Sequence, residues 1–520
     1  MDKKKNYLLP LLFSLFLALG MILGSNYGPG MGGSSGIKSY QKKFEQVLGY
    51  IDNSYVDTPN RELLVESAIN EMLMELDPYS SYISAKDLAH ANEQLEGNFE
   101  GIGIEFNLLN DTVTVVHVIP GGPSEKLGLL PGDKFISVEG QTIAGVKLKN
   151  NDIVRKLKGP KGTKVKVEIK RRGRNELMPF EIVRDEIKIQ SVVAVFMANS
   201  NTGYIKVTRF AGNTVKDFTQ GIQDLKEQGA ENIVVDLRSN PGGYLGTAID
   251  MVDEFLEGNE MITYTEGRER SRKEHLSTSK GSFKDGNLCV LLDANSASAS
   301  EIFAGAIQDL DRGLIIGHRS HGKGLVQEPI ELRDGSQLRL TVARYYTPSG
   351  RCIQRPYDME VNIDEEGEVE RHAFSTKKGR TVTDGGGIQP DVEIGYDSTL
   401  FTKEYEDFLM KGVVYEYTLN YHDAQRIRLL EAYSNADDFT RAYQPDEAVL
   451  DSMLARADMS VQPDSVDSQT RDLIALQFKA LLGRYLYGEE VYYRITTATD
   501  PVFNKALDLI QQDQFALYGI

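Results

Sequence analysis

The sequence predicts a multidomain α+β chain, in which a helical N-terminal region, a small β-domain, an α/β core and a helical C-terminal region follow one another. Three observations carry this. At 520 residues the chain exceeds one ordinary domain. Its apolar residues keep helical spacing to about residue 95, take short β-type runs to about 187, alternate strand and helix patterns to about 396, and return to helical spacing afterwards. Turn signals mark the joints, among them Asp77-Pro78, Asn110-Asp111, Pro120-Gly121-Gly122-Pro123 and Gly159-Pro160.

The first segment, 1–37, reads as a membrane anchor or signal segment with a tether. Lys3, Lys4 and Lys5 precede the apolar run from Tyr7 to Leu23, and no further charge occurs before Lys38. The run is long for a signal core and lacks a small-x-small cleavage site, which favours an uncleaved anchor. The glycine-rich stretch from Gly28 to Gly36 reads as a flexible tether. The expected location is the periplasmic side of the inner membrane, or the periplasm if the segment is cleaved. A balance of 58 basic against 76 acidic residues, net −18, repels phosphates and argues against a nucleic-acid partner. Two cysteines, Cys289 and Cys352, provide neither a disulfide framework nor metal-ligand spacing. No metal and no cofactor are expected.

In 38–95, Phe44, Val47 and Leu48, then Leu63, Leu64, Ala68 and Met72, recur at helical spacing until Asp77-Pro78 breaks the pattern. In 96–187, two β-rich runs, a short helix from Ser124 to Leu127, the turn "GLLPGD" and the alternating "TKVKVEIKR" follow the loop "GIGI". This order resembles a bacterial PDZ domain. Such a domain binds peptide C-termini by adding them as a strand, and the resemblance makes Gly101, Ile102, Gly103 and Ile104 the loop whose N–H groups would hold the terminal carboxylate.

The core, 188–396, opens with "GYIKV" as a strand, an amphipathic helix marked by Val215, Phe218, Ile222 and Leu225, and the buried strands "NIVVDL" and "LCVLL". From 397 to 520 the pattern is helical, as at Ile474, Phe478, Leu481, Leu482 and Tyr485, and no chemistry is evident there.

Chemistry is concentrated after "LCVLL", where "SASASEIFAGAIQD" places three serines before a helix. Ser298-x-x-Glu301 fits an N-terminal capping box, the commoner use of such a serine. A strand-to-helix junction also suits a nucleophile, because free N–H groups and partial positive charge lie ready for an oxyanion. The base is open between two kinds of residue. His318 and His321 lie near the later core loops without an obvious carboxylate partner, whereas Lys323, flanked by Gly322 and Gly324, would serve if burial lowered its pKa. Gly317 to Gly324 nearly spells a phosphate-binding loop, but Gly324 replaces the hydroxyl residue and "LVQEPIEL" reads as strand.

Together with "DLRSNPGG" upstream and "GGGIQPDVEI" from Gly385 to Ile394, these motifs resemble the carboxy-terminal processing (tail-specific) serine proteases. The resemblance implies a crotonase-like (ClpP/crotonase) core with an inserted PDZ domain. It makes Ser298 the nucleophile, Lys323 the general base and Gln327 the residue that orients the lysine. The N–H groups of Gly243 and Ala299 would form the oxyanion hole, and Ser296 and Ser300 would be spacers or caps. Two departures stand out: His321 occupies a position where the family often has an aromatic residue, and 397–520 lies outside the usual core. The expectation is a periplasmic serine endopeptidase acting on proteins with accessible C-terminal tails, with the helical regions open to a homo-oligomer or adaptor role. The alternative is a catalytically silent PDZ scaffold in the envelope.

Overall fold

Six strands form the central sheet of the core, in the order Val192–Met197, Thr202–Val207, Asn232–Asp236, Leu288–Leu292, Leu314–Gly317 and Val392–Glu393. The first pair is antiparallel and the rest parallel, each parallel pair being joined by a long crossover connection. The computed structural model describes residues 35–357, 371–395, 402–456 and 466–520, with Ser14 and Phe16. The apolar Tyr7–Leu23 segment therefore lies almost wholly outside the described residues. Among the described residues no helix is long and apolar enough to cross a membrane.

Both faces of this sheet are covered, which explains why its strands read as continuous apolar runs. One face, with Ile205, Val235, Val290 and Ile315, packs on the helices Thr214–Glu227, Leu245–Asp253 and Ala299–Asp309. The other, with Tyr204, Val234, Cys289, Leu291 and Ile316, is covered by Val502, Phe503, Leu509 and Ile510 of the helix Pro501–Gln511. The end of the chain is thus part of the core's packing. Burial also pushes the Cys289 thiol far up, so it is inert.

A second sheet joins Ser81–Ile83, Gln337–Tyr346, Met261–Gly267 and Arg270–Leu276, with Leu325–Glu331 also paired to Gln337–Tyr346. Strand rather than helix thus follows Gly324, as the sequence predicts. The β-domain is a separate sheet in the order Ile104–Leu109, Thr112–Val118, Lys134–Val138, Lys164–Lys170 and Met178–Val183, and its entry and exit strands, Asn98–Gly101 and Asp185–Lys188, pair with each other. Ile104–Leu109, directly after the "GIGI" loop, is an edge strand.

Helices from Lys403–Met410 to Glu489–Thr496 form their own core around Phe408, Phe439, Met453 and Phe478. Val116 of the β-domain packs into it, and Arg484 bonds Glu105 at 3.0 Å. The helices preceding Leu76, Ser35–Ser54 and Arg61–Met74, form a separate unit, the first beginning two residues inside the expected tether.

Candidate active site

Ser298 sits where Leu288–Leu292 turns into the helix Ala299–Asp309. Its φ of 55° is rare for a side-chain-bearing residue, and it lifts Ser298 out of the regular helix start at a local conformational cost. The three serines differ sharply in their surroundings. Ser296 and Ser300 are fully buried, the former donating to the Leu237 carbonyl at 2.9 Å and the latter to the Asn240 carbonyl at 3.0 Å. Both fasten the serine stretch to "DLRSNPGG". Ser298 is only half-buried.

Of the expected capping box, the return bond is made: Ser298 N–H donates to Glu301 Oε2 at 2.7 Å. The Glu301 N–H faces the Ser298 side chain, completing the box, and also donates to the Ser298 carbonyl at 2.9 Å, so the hydroxyl hydrogen stays available for transfer.

Glu301 does more than cap. Fully buried, it accepts Ser320 Oγ and the Gly322 N–H on Oε1, at 2.5 and 2.7 Å, and the Lys323 N–H on Oε2 at 2.9 Å. One carboxylate oxygen therefore binds the backbone of both Ser298 and Lys323. Burial raises its pKa to about 7, against the pull of these four donors. A second clamp acts from the other side, where the buried Tyr345 hydroxyl lies 2.7 Å from the Lys323 carbonyl and 3.1 Å from that of Ser298.

Burial pushes the Lys323 ammonium below its ordinary range, with Arg339 acting in the same direction and the carboxylates of Asp77 and Glu301 opposing. Its Nζ rests 4.7 Å from the ring centroid of Tyr79. Gln327 donates its amide to Thr341 Oγ1 at 3.2 Å, and among the described residues it makes no hydrogen bond to Lys323. His321 is exposed and contributes its backbone N–H to the Ser296 carbonyl at 3.0 Å.

The glycine pair of "NPGG" abuts Ser298. A Cβ on Gly242 would come within 2.9 Å of both the Ala299 nitrogen and Ser298 Cβ, and one on Gly243 would strike the Phe210 carbonyl at 2.1 Å. Gly242 commits its N–H to Asn240 Oδ1 at 2.9 Å. Among the described residues the Gly243 N–H and the first-turn N–H of Ala299 have no acceptor. Behind this loop, burial alone would raise the pKa of Asp236, yet Arg238 and Lys206 hold it far below the carboxylate range. Arg238 also reaches Asp500, the N-cap of the terminal helix, at 2.5 Å. The C-terminal residues thereby support the glycine loop, a link that no local sequence pattern carries.

In the β-domain, Gly101, Ile102 and Gly103 are buried and Ile104 half-buried, and Ser124 and Ile119 donate their N–H groups to the Ile102 and Gly103 carbonyls. Among the described residues the N–H groups of Ile102 and Gly103 have no acceptor. A cavity of about 580 Å³ lies beside Ile104, bordered by His117, Arg209, Tyr415, Arg484 and Tyr492.

Residues 201–366 match the profile of peptidase family S41, 114–171 a PDZ domain, 31–87 the N-terminal domain of the activating protease CtpB, and 405–488 a family of unknown function. A carboxy-terminal-processing protease of Bartonella bacilliformis is 38% identical over 317 residues, covering 60% of this chain and 72% of that protein. Carboxy-terminal processing protease CtpB of Bacillus subtilis is 35% identical over 316 residues, 60% of this chain and 65% of that protein. Among solved structures, the photosystem II D1 C-terminal processing protease aligns with 71% of this chain and 96% of its own at 25% identity, with a TM-score of 0.36. With PDZ and protease segments matched in order and a relative of this identity covered over most of its length, the chain belongs to the carboxy-terminal processing proteases of peptidase family S41 and is a serine-type peptidase.

Proposed function

We propose that the chain is a membrane-tethered periplasmic endopeptidase that takes protein C-termini on its PDZ domain and cleaves them with a Ser298–Lys323 dyad. The observation that carries the dyad is the shared clamp: Glu301 Oε2 accepts the backbone N–H groups of both residues, and the Tyr345 hydroxyl lies within hydrogen-bond reach of both their carbonyls. Neutral Lys323 takes the Ser298 hydroxyl proton as Oγ attacks the substrate carbonyl, then passes it to the leaving amine as the C–N bond breaks. Water, deprotonated by the Lys323 amine, then attacks the resulting ester, and Lys323 returns that proton to Ser298 Oγ as the C–O bond breaks. The N–H groups of Ala299 and Gly243 face the transient oxyanion. Gln327, held on Thr341 in this structure, would orient the amine once the lysine approaches Ser298.

Tail reading is supported by the N–H groups of Ile102 and Gly103, which have no acceptor among the described residues, beside the edge strand Ile104–Leu109. The basic flank and apolar run before Lys38 support the tether and the periplasmic location. Full-length Ser298→Ala should bind a peptide ending in an apolar residue at least about tenfold more tightly as the free acid than as the amide, because only the acid presents a carboxylate to the loop. Fluorescence anisotropy reads this directly, and equal affinities would remove the tail-reading role.

A further inference from the structure

The Lys323 ammonium is docked on a turn that comes from far upstream. Its Nζ lies over the face of Tyr79, and among the described residues it makes no hydrogen bond to Ser298 or Gln327. The turn is rigidly built. Asp77 Oδ1 accepts the N–H groups of Tyr79 and Ser80 at 2.8 and 2.7 Å, and Oδ2 accepts the Ser80 hydroxyl at 2.8 Å. Ser81–Ile83 then adds to Gln337–Tyr346, with Ser81 opposite Arg339. From that strand the Thr341 N–H donates to Ser80 Oγ at 3.1 Å, and Thr341 Oγ1 receives Gln327. The turn and the expected lysine-orienting residue are therefore fixed to the same threonine.

An aromatic face attracts an ammonium but gives a neutral amine nothing comparable, and a nearby carboxylate acts in the same sense. The geometry thus favours the form of Lys323 that cannot act as a base, with no hydrogen bond to the serine among the described residues. We propose that Asp77 and Tyr79 are positioning residues that dock Lys323 as an ammonium and so set the pH at which the base becomes available. This rests on the reading of Lys323 as the general base. The other groups around the lysine are Glu301, which also favours its charge, Arg339, which opposes it, Tyr345 on the Lys323 carbonyl, and exposed His321 in the same loop.

The test is kcat/KM against pH for the full chain, Asp77→Asn, Tyr79→Leu and Lys323→Ala on one unstructured peptide. Tyr79→Leu keeps every hydrogen bond of the turn, so it serves even if Asp77→Asn fails to fold. Each docking variant should move the acid limb down by about one pH unit, which raises the rate on the limb up to about tenfold, while the alkaline plateau stays within about twofold. Loss at every pH without movement of the limb would give the turn a merely structural role and overturn the proposal. Wild-type rates in Lys323→Ala would instead overturn the base assignment. An inactive Lys323→Ala beside an unmoved limb would defeat the docking inference alone.

Discussion

Lys323→Arg should lower proteolysis by about 10⁴-fold or more, as far as Lys323→Ala does, although it keeps the positive charge. Arginine stays protonated across the accessible pH range and cannot take the serine proton. The wild-type lysine is already pushed below its ordinary range by burial. Activity of the wild type should accordingly climb with pH as the ammonium gives up its proton. His318→Ala and His321→Ala should lose little, the latter removing an exposed ring. Should one of these histidine variants be dead while Lys323→Arg works, a histidine would be the base.

Glu301→Gln should lower kcat/KM by about 10²-fold and stability by about 2 to 3 kcal/mol, an effect no replaceable helix cap would have. The carboxylate accepts four donors, two on each oxygen. A carboxamide has one acceptor oxygen: placed at Oε2 it leaves the buried Gly322 N–H facing an NH2 group, and placed at Oε1 it does the same to the Ser298 and Lys323 N–H groups and loosens the link between them. The wild type carries a milder form of this lesion at acid pH, where protonation of Glu301 near pH 7 removes an acceptor position. The sign for stability is opposite. A carboxyl whose pKa rises on folding favours the folded state below its unfolded pKa, and that contribution fades as pH rises to about 7. Kinetic pH profiles and denaturation at two pH values separate the two effects, and a fully active Glu301→Gln would refute the clamp.

Glu301 also shows where sequence reading stops. The spacing from Ser298 reveals a capping box because both partners lie within one helical turn. The bonds to Gly322 and Lys323 span 21 and 22 residues and depend on how two parallel strands align their ends, which no local pattern encodes. The same limit hid Tyr345, and it hid the turn at Asp77-Pro78, legible only as a helix break although it approaches a lysine some 245 residues away. By contrast, the change from alternating runs to strand–helix alternation was legible, because each sheet's exposure dictates its periodicity. The C-terminal residues divided in the same way. Ile474, Phe478 and Leu481 announced a helical core, whereas nothing local joined Asp500 to Arg238 or placed Val502 and Phe503 on the protease sheet.

The central claim is that Ser298 performs the cleavage. Its most direct test is mass spectrometry of the new C-termini formed when an unstructured, tail-bearing polypeptide is incubated with the wild type, Ser298→Ala, Ser296→Ala and Ser300→Ala, each first shown to be folded. Cleavage should vanish in Ser298→Ala and persist in the other two, whose hydroxyls only fasten the loop. The same cleavage products from a folded Ser298→Ala would contradict the account.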